Sequence, residues 1–332
     1  MKVEDNVTGS SRVTAGPLLG SLGVLAFSLS LPFTRLAVES LDPWFVAFGR
    51  AAGAGILAAG YLALSSRRLS SGKPVSTGAA RPVWTGGSPW PTESAGGSRA
   101  GGGVWPTTAQ FRRLVVVAIG VVIGFPLFTS IALTQATAAH GAVVVALLPA
   151  TTAVFAVVRG GERPSAMFWL AAGAGFAAVL GFVAVSGGMA GGFRTADLWF
   201  LAAVVVCALG YAEGGALARE LGGARTICWA LVLALPVTVP LAVVTAHGLA
   251  AVGVTAWLGF AYLTVISQFL GFFAWYAGLA RGGVARIGQV QALQPVLTLT
   301  WSALLLHEHV DIGTVLVAVI VLGCVVMTQR AR

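Results

Sequence analysis

The sequence predicts an all-α polytopic membrane protein, with ten transmembrane helices arranged as two inverted five-helix repeats. Three observations carry that prediction. Hydrophobic residues make up 57% of the 332 and charged residues only 9%, and mean hydropathy is +0.88, too apolar for a water-soluble chain of this length. The apolar residues fall into blocks of about 20, the length of helix that crosses a hydrocarbon core of about 30 Å. The basic residues, finally, gather at alternate joints between the blocks, as topology demands. Helix is preferred to strand because backbone in lipid must be satisfied within its own segment, and a barrel would show short alternating strands.

The blocks follow in order. Residues 17–37 contain Pro32 and Arg35 and precede no small-x-small cleavage site, so they read as a span and not as a cleavable leader. Span 43–64 starts at the Asp42-Pro43 joint and holds Arg50. Span 112–134 opens on Arg112 and Arg113, and span 141–158 contains Pro149 and stops at Arg159. After the charged joint at Glu162 and Arg163 come 166–186, then 198–218 with Glu213 inside it, and 227–246. Span 253–279 carries Gln268 and a set of aromatics, 287–306 carries Pro295, and 312–328 ends just before Arg330.

With the amino terminus inside, Lys2, Arg12, Arg330 and Arg332 are cytoplasmic. So are the joints holding Arg67, Arg68, Lys73, Arg81, Arg99, Arg112 and Arg113, then Arg159 and Arg163, Arg219 and Arg225, and Arg281 and Arg286. The opposite joints hold only Arg194, and the spans hold Arg35 and Arg50. This asymmetry places both termini in the cytoplasm. The same distribution accounts for the net charge of +9 without a nucleic-acid partner, for which no basic patch interleaved with aromatics exists. The three cysteines, Cys207, Cys228 and Cys324, are isolated in or beside apolar spans and read as buried, inert thiols. Residues 65–111, with "TGGSPWPTESAGGSRAGGGVWP", have the composition of a flexible cytoplasmic linker.

An internal repeat sets the organisation. "ALLPATTAVFAVVRGGE" (146–162) and "ALQPVLTLTWSALLLHE" (292–308) both begin Ala-Leu, place a proline three residues after the alanine and a glutamate 13 residues after that proline. They fall on the fourth and ninth spans. An offset of five crossings turns the second copy over in the membrane, the pattern of inverted-repeat carriers. The expected organisation is a cytoplasmic tail 1–16, a first repeat with helices 1–4 in 17–158 and helix 5 in 166–186, a second repeat in 198–328, and a tail 329–332.

The five-plus-five spans, the proline-to-glutamate spacing in each half, and "LPFTRLAVESLDPWFVAFGRAAGAGIL" with its Asp-Pro joint followed by Arg50 resemble the EamA-type transporters of the drug/metabolite transporter superfamily. The resemblance covers residues 17–328 apart from the linker. It implies a multi-pass carrier of the inner (plasma) membrane that exports small metabolites, amino acids or related compounds, along a path between the halves.

Several residues are candidates to carry transport. Pro149 and Pro295 each deprive a carbonyl four residues earlier of its hydrogen bond, and serve either as hinges or as static kinks. Gln291, Gln294, Thr298 and Trp301 share one helix face, which suits a solute path or polar glue between helices. Gln268, Phe272 and Trp275, with Tyr276 beside them, form a face for a partly apolar solute or for ordinary packing. Glu213 is the one acid within the spans, a candidate for proton coupling or else a partner for Arg219 or another cytoplasmic base. Arg50 binds a carboxylate of the cargo or ties span 2 to a neighbour, and the resemblance favours the tie. The histidines 140, 247, 307 and 309 lie at outer joints, where solvated side chains are the ordinary case. Gly120 with Gly124 and Gly278 with Gly282 fit the G-x-x-x-G pattern of close helix contacts.

No H-E-x-x-H, P-loop or G-x-S-x-G pattern is present, which excludes an ATP-driven pump in a single chain and supports a protein that is not an enzyme. No cofactor or metal is expected. The expected partners are a small-molecule solute, membrane lipid and, through Glu213, protons, with the chain a monomer or homodimer. The alternative reading is a membrane-embedded enzyme or assembly subunit acting on lipid-linked substrates. The orientation has a direct check: a fluorescent protein fused after Arg332 is expected to fluoresce and alkaline phosphatase at the same place to be inactive. The reverse pattern would invert the topology.

Overall fold

Hydrocarbon offers the backbone no hydrogen-bond partner, so a spanning chain must satisfy itself turn by turn. In the computed structural model, which describes residues 7–70, 105–160, 165–186 and 194–330, every regular element is accordingly helical. In order these are α1 (Val7–Ser28), α2 (Ser30–Val38), α3 (Pro43–Ser70), α4 (Thr108–Val117), α5 (Phe125–Leu133), α6 (Ala138–Val145), α7 (Leu148–Gly160), α8 (Ala166–Ser186), α9 (Thr195–Leu221), α10 (Gly223–Val244), α11 (Val254–Tyr262), α12 (Gly271–Gln291), α13 (Gln294–Leu305) and α14 (Ile312–Arg330). Two π-helical segments, Ala118–Gly124 and Leu263–Leu270, join α4 to α5 and α11 to α12 without a break, and a short 3₁₀ turn, Leu249–Ala251, precedes α11.

Among the described residues eight helical stretches are long and apolar enough to cross a membrane, and Ile312–Thr328 is a shorter apolar helix. Against the ten spans expected from sequence, the helices differ in detail. The boundary expected between 279 and 287 falls inside α12, because the joint at 281–286 contains no proline to stop a helix. The break comes instead at Ala292 and Leu293, just ahead of Pro295. The fourth span breaks in the same way at Ala146 and Leu147, ahead of Pro149. In both places the proline sits at the second position of the new helix, where its missing N–H costs nothing. A kinked single helix was expected there, and the structure has an interrupted one. Helix extends into the expected tail 1–16 in α1 and into the two ends of the expected linker 65–111 in α3 and α4. Residues 71–104 of that linker and Glu162 lie outside the described residues.

Caps fix several entries. Asp42 Oδ1 accepts from the backbone N–H groups of Trp44 and Phe45 at 2.8 and 3.1 Å, and Thr107 and Gln110 form a reciprocal capping box on α4. Asp311 accepts from the Thr314 N–H at 2.6 Å on α14, and this bond holds its carboxyl below the ordinary value. Gly222, at φ 84°, makes the tight reversal between α9 and α10.

Helix α9 is the central element, touching α4, α5, α6, α7, α10 and α12. Close approach is bought with glycine. A Cβ on Gly120 would stand 2.2 Å from the Val206 carbonyl oxygen of α9, and one on Gly278 2.8 Å from the Gly20 nitrogen of α1, so these two of the four glycines singled out by pattern sit at helix contacts. Gly120→Ala is therefore expected to cost about 1–3 kcal/mol and lower the melting temperature in detergent. Gly60→Ala, where a Cβ meets nothing within 4 Å, serves as the neutral control. Equal melting of the two variants would contradict this packing.

Candidate functional site

A π-helical turn widens the helix by one residue and turns side chains that an α-helix would leave in line, and such segments concentrate at functional sites. In the segment Leu263–Leu270 this directs the adjacent polar pair Ser267 and Gln268 into the interior, where both are 1% exposed. Arg50, 2% exposed on α3, meets them there. Its Nη2 donates to Gln268 Oε1 at 2.9 Å and to Ser267 Oγ at 3.3 Å. Ser267 in turn shares a 2.7 Å hydrogen bond with Ser30, the first residue of α2. Gln268 Nε2 donates to the Val122 carbonyl in the other π segment at 3.4 Å. Arg50 Nε has no hydrogen-bond partner among the described residues.

This polar string borders a cavity whose other walls are Phe27, Leu31, Val121, Phe125, Leu148, Cys207, Tyr211, Phe272 and Gln294. A second void adjoins it through Leu31, Leu148 and Gln294 and is lined by both prolines, Gln291 and Thr298. The first leaves about 20 Å³ for the centre of a water-sized sphere and the second about 10 Å³, roughly the room one water needs in each. The conformation is therefore closed around its polar interior.

The structure brings most of the sequence-singled residues to this region, in different roles. Phe272 lines the cavity and lies against Phe27 at 4.7 Å between ring centroids. Trp275 and Tyr276 are buried one turn further on, Trp275 against Phe27 and Tyr211 and Tyr276 over Gly214. Neither the Trp275 Nε1 nor the Tyr276 hydroxyl has a partner among the described residues. The face of Gln291, Gln294, Thr298 and Trp301 divides. Thr298 donates to the Ser28 carbonyl at 2.8 Å and Trp301 Nε1 to Ser28 Oγ at 3.1 Å, joining α13 to the break between α1 and α2. Gln291 and Gln294 border the second void, with Gln291 Nε2 and Gln294 Oε1 unpartnered.

Two further clusters lie at opposite ends of α9, about 24 Å apart at 1.5 Å per residue between Asp197 and Glu213. Glu213, 2% exposed, forms ion pairs with Arg113 of α4, at 2.8 Å, and with Arg159 of α7. Arg113 also reaches Glu220 at 2.7 Å. Of the partners the sequence left open for Glu213, Arg219 or another base of the same joints, the ones found are Arg113 and Arg159. At the other end Asp197 Oδ1 lies 2.5 Å from His140 Nε2. Glu308 accepts from the Ala138 and Ala139 N–H groups, both at 2.8 Å, which caps α6 with a carboxylate. His307, at φ 52°, makes the turn that aims Glu308 there. A polar recess of about 270 Å³ beside this end is lined by Arg35, Thr134, Gln135, Thr137, His140 and Arg194. His140 is thus a half-buried partner of Asp197 and not the solvated residue expected.

Sequence reasoning missed Ser30, Ser267 and Tyr211 in the cavity, and Arg113, Arg159, Asp197 and Glu308 at its ends. Polar residues interrupting apolar runs, as in Ser28-Leu29-Ser30 and Ser267-Gln268, were the available signal. Among the described residues no group of three or more His, Cys, Asp or Glu side chains could hold a metal.

The model of the EamA-like transporter family matches residues 14–184 and 194–329. The chain belongs to that family. It is 42% identical over 321 residues to "Uncharacterized transporter YdeK" of Bacillus subtilis (strain 168), covering 96% of this chain and 99% of the relative. A crystal structure at 18% identity superposes with a TM-score of 0.59 over 96% of this chain and 98% of that one, which attests the fold alone. This EamA-family chain is a multi-pass membrane transporter, a class that points away from enzymatic function.

Glu308→Ala is expected to remove the α6 cap and cost about 0.5–2 kcal/mol, read as a lower melting temperature in detergent. Glu308→Gln, which keeps one acceptor oxygen, is expected to lie between it and the parent. Identical melting of all three would show that the cap contributes nothing.

Proposed function

We propose that this EamA-family protein is a secondary carrier that exports small metabolites, amino acids or related compounds, from the cytoplasm across the plasma membrane by alternating access, with both termini cytoplasmic. The observation that carries the reading is a closed polar and aromatic cavity bounded at each end by contacts between the two halves of the chain. Glu308 and Asp197, from the second half, bind Ala138, Ala139 and His140 of the first at one end. Arg113 and Arg159, from the first half, bind Glu213 and Glu220 of the second at the other. A carrier needs such contacts to break at one face while they hold at the other.

The family's two matched stretches and the equivalent breaks ahead of Pro149 and Pro295 support a pair of inverted repeats in which those interruptions serve as hinges. The solute path runs past Gln268, Phe272, Gln291 and Gln294, with Trp275, Tyr276 and Thr298 as its supporting wall. Glu213 acts in this scheme as the inner latch. Opening that end means releasing both of its guanidinium partners.

Purified protein in liposomes is expected to give saturable counterflow of at least one solute from a panel of small metabolites. A folded protein with no counterflow across the panel would remove the carrier reading. Glu213→Gln separates the two roles of that residue. A latch predicts altered transport rates at every pH with the pH profile retained, whereas loss of pH dependence would make Glu213 the proton carrier.

A further inference from the structure

Resting on the carrier reading, the class of solute follows from the charge balance around Arg50. Eleven acidic residues occur in the chain, and each of the seven in the described stretches is engaged elsewhere. Glu39 pairs with Arg35, and Asp42 caps α3. Asp197 holds His140 and the Arg194 N–H, Glu213 and Glu220 hold Arg113, Glu308 caps α6, and Asp311 caps α14. None of them approaches Arg50. Its partners are a neutral amide oxygen and a neutral hydroxyl, and its Nε is left unpartnered. A buried guanidinium without an anion is a costly arrangement, and intramembrane arginines are normally paired.

We infer that the missing counter-charge is the solute's own: the central cavity recognises a small organic monocarboxylate, with Arg50 holding the carboxylate and the surrounding rings holding an apolar or aromatic body. The chemistry fits this class in three ways. Guanidinium presents adjacent N–H groups in a planar fork that matches a carboxylate. Here that edge consists of the unpartnered Nε and of Nη2, which holds the displaceable Gln268 oxygen and, at 3.3 Å, the Ser267 hydroxyl. The hydroxyls of Ser267 and Ser30 supply further donors within the same string. The remaining walls, Phe27, Phe125, Phe272, Tyr211, Leu31 and Leu148, offer no second positive charge, which suits one anionic group and an apolar remainder. In the closed conformation Gln268 occupies the carboxylate's place, and the solute enters as the cavity opens.

The test is binding to the purified full-length protein in detergent, followed by thermal unfolding, with 3-phenylpropionate, its uncharged amide, phenylalanine, octanoate and inorganic phosphate as probes. A carboxylate-dependent rise in melting temperature is expected with phenylpropionate or octanoate and not with the matched amide. Arg50→Gln is expected to weaken the carboxylate's apparent affinity roughly 10- to 100-fold, the worth of one charged hydrogen-bonded contact. Because that variant removes a buried group and could compromise folding, Gln268→Glu provides the second arm. It places an internal carboxylate beside Arg50, so it is expected to melt at or above the parent temperature while losing carboxylate binding at least tenfold. Equal stabilisation by acid and amide, stabilisation by phosphate alone, no response to any carboxylate, or undiminished binding in Gln268→Glu would each overturn the inference. The carrier reading is judged separately by counterflow. Transport of the amide without carboxylate preference would keep the carrier and discard the anion site, and carboxylate binding without any counterflow would do the reverse.

Discussion

A positive charge buried in an apolar protein must be compensated from somewhere, and the arrangement around Arg50 follows from how this chain meets that requirement. It sits on α3 and is held by Ser267 and Gln268 in a π-helical segment, which are linked onward to Ser30 at the start of α2 and to the second π segment at Val122. Four helical pieces are thereby pinned to one polar string. Each polar group in it would be expensive alone in such surroundings. Together they define a place in the core where a polar solute finds ready donors.

The apolar remainder serves that string by excluding water from it. Glycines let helices approach until backbone touches side chain, as Gly120 does with Val206 and Gly214 with Tyr276, and aromatic rings fill the spaces around the cavity. The charged residues divide by position. Those at the helix ends meet opposite charges or helix termini, and the carboxylates of Glu213 and Asp197 are buried there. Breaking such a contact leaves a buried charge unpaired unless water or another partner replaces it.

Much of this was legible in the sequence, and the parts that were not share a cause. Span positions, the role of Gly120 and Gly278 as helix contacts, and the placement of Phe272, Gln291 and Gln294 toward the interior follow from hydropathy and periodicity. The exact form of the proline sites did not. Local rules predict a kink at Pro149 and Pro295, whereas the helix stops and restarts two residues earlier, so that each proline takes a position where no N–H is needed. The π segment Leu263–Leu270 carries no proline or glycine of its own, and it decides that Ser267 and Gln268 both face Arg50. Partners distant in sequence were equally hidden: nothing in the neighbourhood of Glu213 names Arg113 or Arg159, and nothing near Glu308 names the amino terminus of α6.

The central claim is that the contacts at the two ends of α9 are alternately breakable latches around one cavity. Pulsed electron resonance distances test it most directly, with spin labels at positions 135 and 309 for one end and 112 and 219 for the other, in a background where Cys207, Cys228 and Cys324 are replaced by alanine. Glu308→Ala is expected to lengthen or broaden the 135–309 distance while leaving 112–219 short, and Glu213→Gln to do the opposite. If both distances stayed unchanged in both variants, or moved together, the two ends would not be latches of an alternating carrier.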